Sequence, residues 1–128
     1  NSIGLAGWNA GIRWVQERGV AALGACRAQW ASRVRDRLPE TAAPVPAEVR
    51  DEDLRAGIVS VVPKTGSVAE IAYALSEAFD ISLRAGLQCA PRMHRALGVD
   101  GTLRLSCGAF STLEDADAAV EALAAVCG

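Results

Sequence analysis

Lysine is all but missing from this chain: among its 13 basic residues Lys64 is the only lysine, and the rest are arginine. Chemistry that needs a lysine amine therefore has one candidate. Histidine is as scarce, with His94 alone. The four cysteines, Cys26, Cys89, Cys107 and Cys127, are far apart and form no CxxC or CxxH pair, so no metal site is expected. A disulfide framework is not expected either, because a chain of this size can build a core and has no secretory start. No apolar run approaches the roughly 18 residues of a membrane span, and the first residues lack the basic start and apolar stretch of a signal peptide. Net charge is only −2, too little to draw the chain to nucleic acid or anionic lipid. There is no glycine-rich phosphate loop, internal repeat or low-complexity segment. Together these absences lead us to expect a cytoplasmic protein that binds neither membrane nor nucleic acid.

What is present fits one globular domain spanning 1–128. Hydrophobic residues make up 51% of the 128, enough for a chain of this length to bury roughly two thirds of its unfolded surface. Leu5, Trp8, Ile12 and Val15 recur at helical spacing and Gly19 interrupts them; Val20, Leu23, Trp30, Val34 and Leu38 follow until Pro39. Trp14 falls off the first apolar stripe. It is either a partly exposed ring or one that packs on something outside the chain. Residues 39–56 carry three prolines and mixed charge, and read as a loop with at most a short edge strand.

The β-branched run GIVSVVP, 57–63, predicts a strand, and Ser67 with Glu70 predicts a capping box before a helix faced by Val68, Ile71, Leu75 and Phe79. ISLRAG, 81–86, predicts a second strand. GTLRLSCG, 101–108, predicts a third, with Leu103, Leu105 and Cys107 on one face and Thr102, Arg104 and Ser106 on the other. Thr112 caps a final helix, with Asp115 at its third position and Leu113, Ala116, Val120 and Leu123 as its buried stripe. This order predicts an α+β fold, a small mostly antiparallel sheet with helices packed on one face.

Three residues can carry chemistry. Cys89 lies in RAGLQCAPRMH, 84–94, where Arg84, Arg92 and Arg95 could favour a thiolate; a small buried side chain is the competing reading. Arg104 is a planar fork suited to a carboxylate, on a strand face the leucines do not use, although a solvated arginine fits there too. His94 is a candidate acid or base by residue type, since imidazole chemistry suits that role, but no carboxylate stands near it in sequence, so a loop or helix-start histidine is the simpler reading. Cys26, inside a helix, and Cys127, at the chain end, read as structural or incidental.

RAGLQCAP, then His94, Leu97 and Gly98, GTLRLS at 101–106 and GAFSTLEDADAAVEAL at 108–123 resemble the C-terminal end of class V aminotransferases, in particular cysteine desulfurases and selenocysteine lyases. NSIGLAGWNAGIRWVQERGV resembles the passage out of their large domain, and GIVSVV the first central strand of their small domain. The resemblance implies the small domain of a fold type I transferase dependent on pyridoxal 5′-phosphate, cut from a longer enzyme whose large cofactor-binding domain is absent here. It implies that Cys89 is the loop cysteine that takes sulfur from L-cysteine as a persulfide, with release of alanine, and that Arg104 binds the substrate carboxylate. It also implies a homodimeric whole enzyme and a sulfur-acceptor protein.

Two departures bear on this. Gln88 stands where many members have histidine, so no proton-transfer partner carries over to that position. Lys64 has no matching context for the cofactor lysine, and the chain alone is expected to be inactive and to bind no cofactor. The alternatives are an aminotransferase or epimerase that does not use Cys89, and a free-standing sulfur-carrying or binding module.

Overall fold

The computed structural model describes residues 1–39, 42–44 and 56–127. Nine elements follow in order: α1 (Ser2–Arg18), α2 (Val20–Asp36), β1 (Ala42–Pro44), β2 (Ile58–Pro63), α3 (Val68–Phe79), β3 (Arg84–Gly86), α4 (Pro91–Leu97), β4 (Thr102–Ser106) and α5 (Leu113–Cys127). The strands form one sheet in the order β1-β2-β4-β3, each neighbouring pair antiparallel. This is the expected α+β architecture, with the short edge strand present as β1. Residues 40, 41 and 45–55 of the proline-rich segment lie outside the described residues.

Alternation in the strands decides where the core forms. Val59 and Val61 of β2 are paired with Leu105 and Leu103 of β4, which puts all four on one face. Against them pack Trp30, Ala31 and Val34 of α2, Ile71 and Leu75 of α3, and Ala116, Ala119, Val120 and Leu123 of α5. Each helix contributes residues three and four apart, the spacing that lines a single face.

The helix ends obey local chemistry. Asn1 Oδ1 accepts from Gly4 N at 2.9 Å, and Gly19, at φ 82°, separates α1 from α2. Ser67 Oγ accepts from Ala69 N at 3.3 Å, but among the described residues Glu70 does not complete the expected reciprocal box. Thr112 and Asp115 do complete theirs: Asp115 Oδ2 accepts from Thr112 N at 2.8 Å and Thr112 Oγ1 accepts from Asp115 N at 3.2 Å.

Two expectations change, and one helix is added to the elements expected. The strand expected over 81–86 begins only at Arg84, because Asp80 takes the left-handed conformation that ends α3 and Ile81 N donates back to Leu75 O at 3.1 Å. The segment after Cys89 is a helix, α4, with Pro91 in its first turn and Gly98 in the left-handed region at its end. That Pro-to-Gly signal was present in APRMHRALG. Finally, the apolar stripe of α1 joins no core: Leu5, Trp8 and Ile12 are exposed, and no residue of α1 is buried. Trp14, off that stripe, finds a partner inside the chain, its ring 5.2 Å from that of Phe110 with the Arg18 guanidinium 4.0 Å over its face.

Candidate active site

The face of β4 opposite the leucines carries Thr102, Arg104 and Ser106. Pairing with β3 sets Arg84 directly across from Arg104 and Gly86 across from Thr102, and pairing with β2 sets Ser60 on the other flank of Arg104. Two like charges directly opposite on a sheet repel. No carboxylate among the described residues pairs with either, and Arg104 Nε is buried with no hydrogen-bond partner there. A guanidinium held half-buried beside another, with an unsatisfied buried N–H, is suited to an anion that accepts at two points.

Cys89 is exposed and sits in a tight turn. Ala90 N donates to Leu87 O at 2.8 Å, and the two residues between, Gln88 and Cys89, have φ 51° and 60°. Positive φ at both central positions is the hallmark of a type I′ turn, normally filled by Asn, Asp and Gly. For other residues the left-handed conformation costs roughly 1–2 kcal/mol each, so surrounding contacts must hold it.

Gln88 supplies one of those contacts. Its amide nitrogen donates to Thr102 Oγ1 at 3.0 Å and Thr102 O at 3.2 Å, with Arg84 O at 3.5 Å. Position 88 thus fastens the Cys89 turn onto β4, a role that its chemical type did not suggest from sequence. The point of attachment, Thr102, is two residues from Arg104 on the same strand face, about 7 Å along the strand. The turn that carries the candidate nucleophile is therefore fastened to the strand that carries the candidate carboxylate grip.

His94 lies within the short helix α4, one of the two simpler placements expected for it, and is buried there, with Nε2 3.1 Å from Thr102 Oγ1 and Nδ1 3.0 Å from Ala90 O. Nothing in the sequence singles out Thr102 as its partner; the two meet where α4 comes within hydrogen-bond reach of the start of β4. Lys64 lies exposed in the bend between β2 and α3, outside these contacts. The remaining cysteines sit elsewhere. Cys107 is half-buried, its thiol donating to Gly57 O at 3.5 Å, and Cys127 is buried; desolvation pushes both thiols up and away from reactivity. Cys26 is exposed on α2. No group of three or more potential metal ligands occurs among the described residues, and none of their helices is long and apolar enough to cross a membrane.

The family model described as Aminotransferase class-V matches residues 1–119. The chain belongs to the class V aminotransferase family. Among solved structures, it is similar to the cysteine desulfurase CsdA of Escherichia coli in its S-sulfonic acid form, at TM-score 0.78 and 23% identity, over 91% of this chain and 28% of that one. It is likewise similar to the apo cysteine desulfurase of Thermococcus onnurineus NA1, at TM-score 0.82 and 24% identity, over 91% and 29%. At such identities the likeness speaks for the fold, and this class V chain spans less than a third of either structure. No curated protein matches it.

Pyridoxal phosphate, which the resemblance implies, is tethered through a lysine amine. The described residues of this class V chain do not fit that tether, because its single lysine, Lys64, is exposed in the bend between β2 and α3 and has no contact described with the Cys89 turn or Arg104.

Proposed function

We propose that this chain is the C-terminal small domain of a longer pyridoxal-phosphate-dependent cysteine desulfurase, contributing a sulfur-accepting thiol and a substrate-binding arginine. The observation that carries the reading is the turn that presents Cys89, bonded through Gln88 to the strand face on which Arg104 has a buried Nε with no partner among the described residues. In this reading the guanidinium of Arg104 grips the carboxylate of L-cysteine at two points, fixing the substrate with its sulfur toward the turn. The Cys89 thiolate forms a bond to the substrate sulfur as the carbon–sulfur bond breaks. The electron pair of the broken bond stays on carbon, which takes a proton and leaves as alanine, and Cys89 keeps the sulfur as a persulfide. The electron-sink chemistry that makes this possible belongs to the cofactor, held by residues outside this chain. A sulfur-acceptor protein would then discharge Cys89, and the whole enzyme would act in the cytoplasm as a homodimer.

The test uses the longer protein carrying this chain, loaded with cofactor and given L-cysteine. Alanine and a persulfide on the peptide 85–92 are expected in equal amounts, and Cys89→Ala should abolish both. Persistent turnover in that variant would remove the desulfurase reading and leave an aminotransferase or epimerase that uses Arg104 alone. A free-standing sulfur carrier is separated by giving the 128-residue chain a persulfide donor without cofactor, since only a carrier accepts sulfur on Cys89 under those conditions.

A further inference from the structure

The hydrogen bonds around Cys89 close into a ring, and their donors can be ordered. Ala90 O can only accept, so His94 Nδ1 carries the proton on that side. In the neutral imidazole Nε2 is then an acceptor, and the hydroxyl of Thr102, 3.1 Å away, donates to it. The same hydroxyl oxygen accepts from Gln88 Nε2. The path therefore runs from the Gln88 amide to the Thr102 hydroxyl, to the His94 ring, to the Ala90 carbonyl, and back along the backbone through Cys89. At each link of the path a donor faces an acceptor, as buried polar groups require.

We infer that Thr102 and His94 are positioning residues for the Cys89 thiol, holding the left-handed Gln88–Cys89 turn from its two sides through one shared hydroxyl. The two residues flanking Cys89 are the ones the ring grips. Gln88 is tied to a central strand and Ala90 to a buried side chain, while Cys89 itself makes no hydrogen bond among the described residues and stays exposed. The arrangement fixes the backbone of an unfavourable turn and leaves its thiol free to meet a reactant. This role rests on the reading of Cys89 as the reacting thiol, but the ring can be tested without turnover.

Amide hydrogen exchange on the 128-residue chain reads the ring directly. Thr102→Val keeps the shape and removes the hydroxyl. It should speed exchange at the amides of Ala90, Met93 and His94 by about tenfold, the factor expected from losing one such bond, and leave the β2–β4 amides unchanged. Thr102→Ser should restore the native rates. Gln88→Met, which breaks the ring at a half-buried position and spares β4, should speed the same amides severalfold. Unchanged exchange in Thr102→Val and Gln88→Met, or equal loss in Thr102→Ser, would overturn the inference. In the whole cofactor-loaded enzyme, Thr102→Val should slow persulfide formation about tenfold with KM for cysteine within twofold, because Arg104 is untouched. A raised KM with unaltered kcat would contradict a positioning role. If Cys89→Ala retains turnover while exchange still follows the hydroxyl, the ring stands and only the persulfide reading falls.

Discussion

The two faces of β4 are built on opposite principles. On one, Leu103 and Leu105 are almost wholly removed from solvent, at 0% and 4% exposure, and packed against three helices. On the other, Thr102 is just as buried, at 3%, yet every contact described for its side chain is a hydrogen bond, and Arg104 two residues on has a buried N–H with no partner among the described residues. Burial on the first face comes from removing apolar area from water, a term indifferent to direction. Burial on the second depends on donors meeting acceptors, and where they do not meet it carries a cost that a ligand could relieve. One face stabilises the domain, and the other spends part of that stability on presenting Cys89 and Arg104.

The largest effect that would break this comparison is asymmetric truncation of β4. Leu103→Ala opens a cavity beneath three helices and should cost about 2–5 kcal/mol in urea unfolding. Arg104→Met keeps the aliphatic stem but removes the orphaned N–H and the like charge opposite Arg84. It should leave stability unchanged or raise it by up to about 1 kcal/mol. A clear loss in Arg104→Met would show that the arginine is held by a partner and that this face is not poised for an anion.

The same division explains what the sequence made legible. Periodicity found the apolar face: Ile71 and Leu75, Ala116, Val120 and Leu123, and the alternation in TLRLS all fall where their spacing puts them. Arg104 and Cys89 could be named as candidates, Arg104 by its place in that alternation. The ring could not, because a bond from position 88 to 102 to 94 depends on how α4 docks, and no spacing encodes docking. Gln-Cys did not announce the type of turn, since its φ values belong to sequences such as Asn-Gly. The stripe on α1 erred the other way, being apolar at helical spacing yet outside the core; periodicity reports a face suited to burial, not the presence of something to cover it.

A smaller effect sharpens the contrast. Helix α5 covers the leucine face, and its first turn is closed by the Thr112–Asp115 box. Thr112→Ala should lower global stability by about 1 kcal/mol. Because the box touches nothing on the polar face, exchange at Ala90 and His94 should slow or quicken only as far as global unfolding does. Selective loosening of the Cys89 turn in this variant would mean that the two faces are coupled more closely than their contacts indicate.

The smallest effect concerns the charged seam behind the leucine face. Asp117 on α5 receives Arg33 Nε at 2.7 Å and Arg33 Nη2 at 2.8 Å, and Arg37 of the loop after α2 also pairs with it. The Arg33 hydrogen bonds chiefly, opposed by desolvation and helped by Arg37, hold the Asp117 carboxyl well below its ordinary 3.8. The folded state thus binds this proton less readily than the unfolded chain. The pair's contribution is complete above the unfolded value near ~3.9 and is lost as pH falls below it. Arg33 is raised by the same partner and stays charged throughout, so only Asp117 titrates. The seam is largely open to solvent, which keeps its worth small and sensitive to salt. Asp117→Asn should lower the urea midpoint slightly at about pH 7, and the gap between variant and native chain should narrow steadily below about pH 4. A gap that holds constant or widens on acidification would show that the ion pair does not join α5 to α2, leaving apolar packing as the sole hold on the face that Leu103 serves.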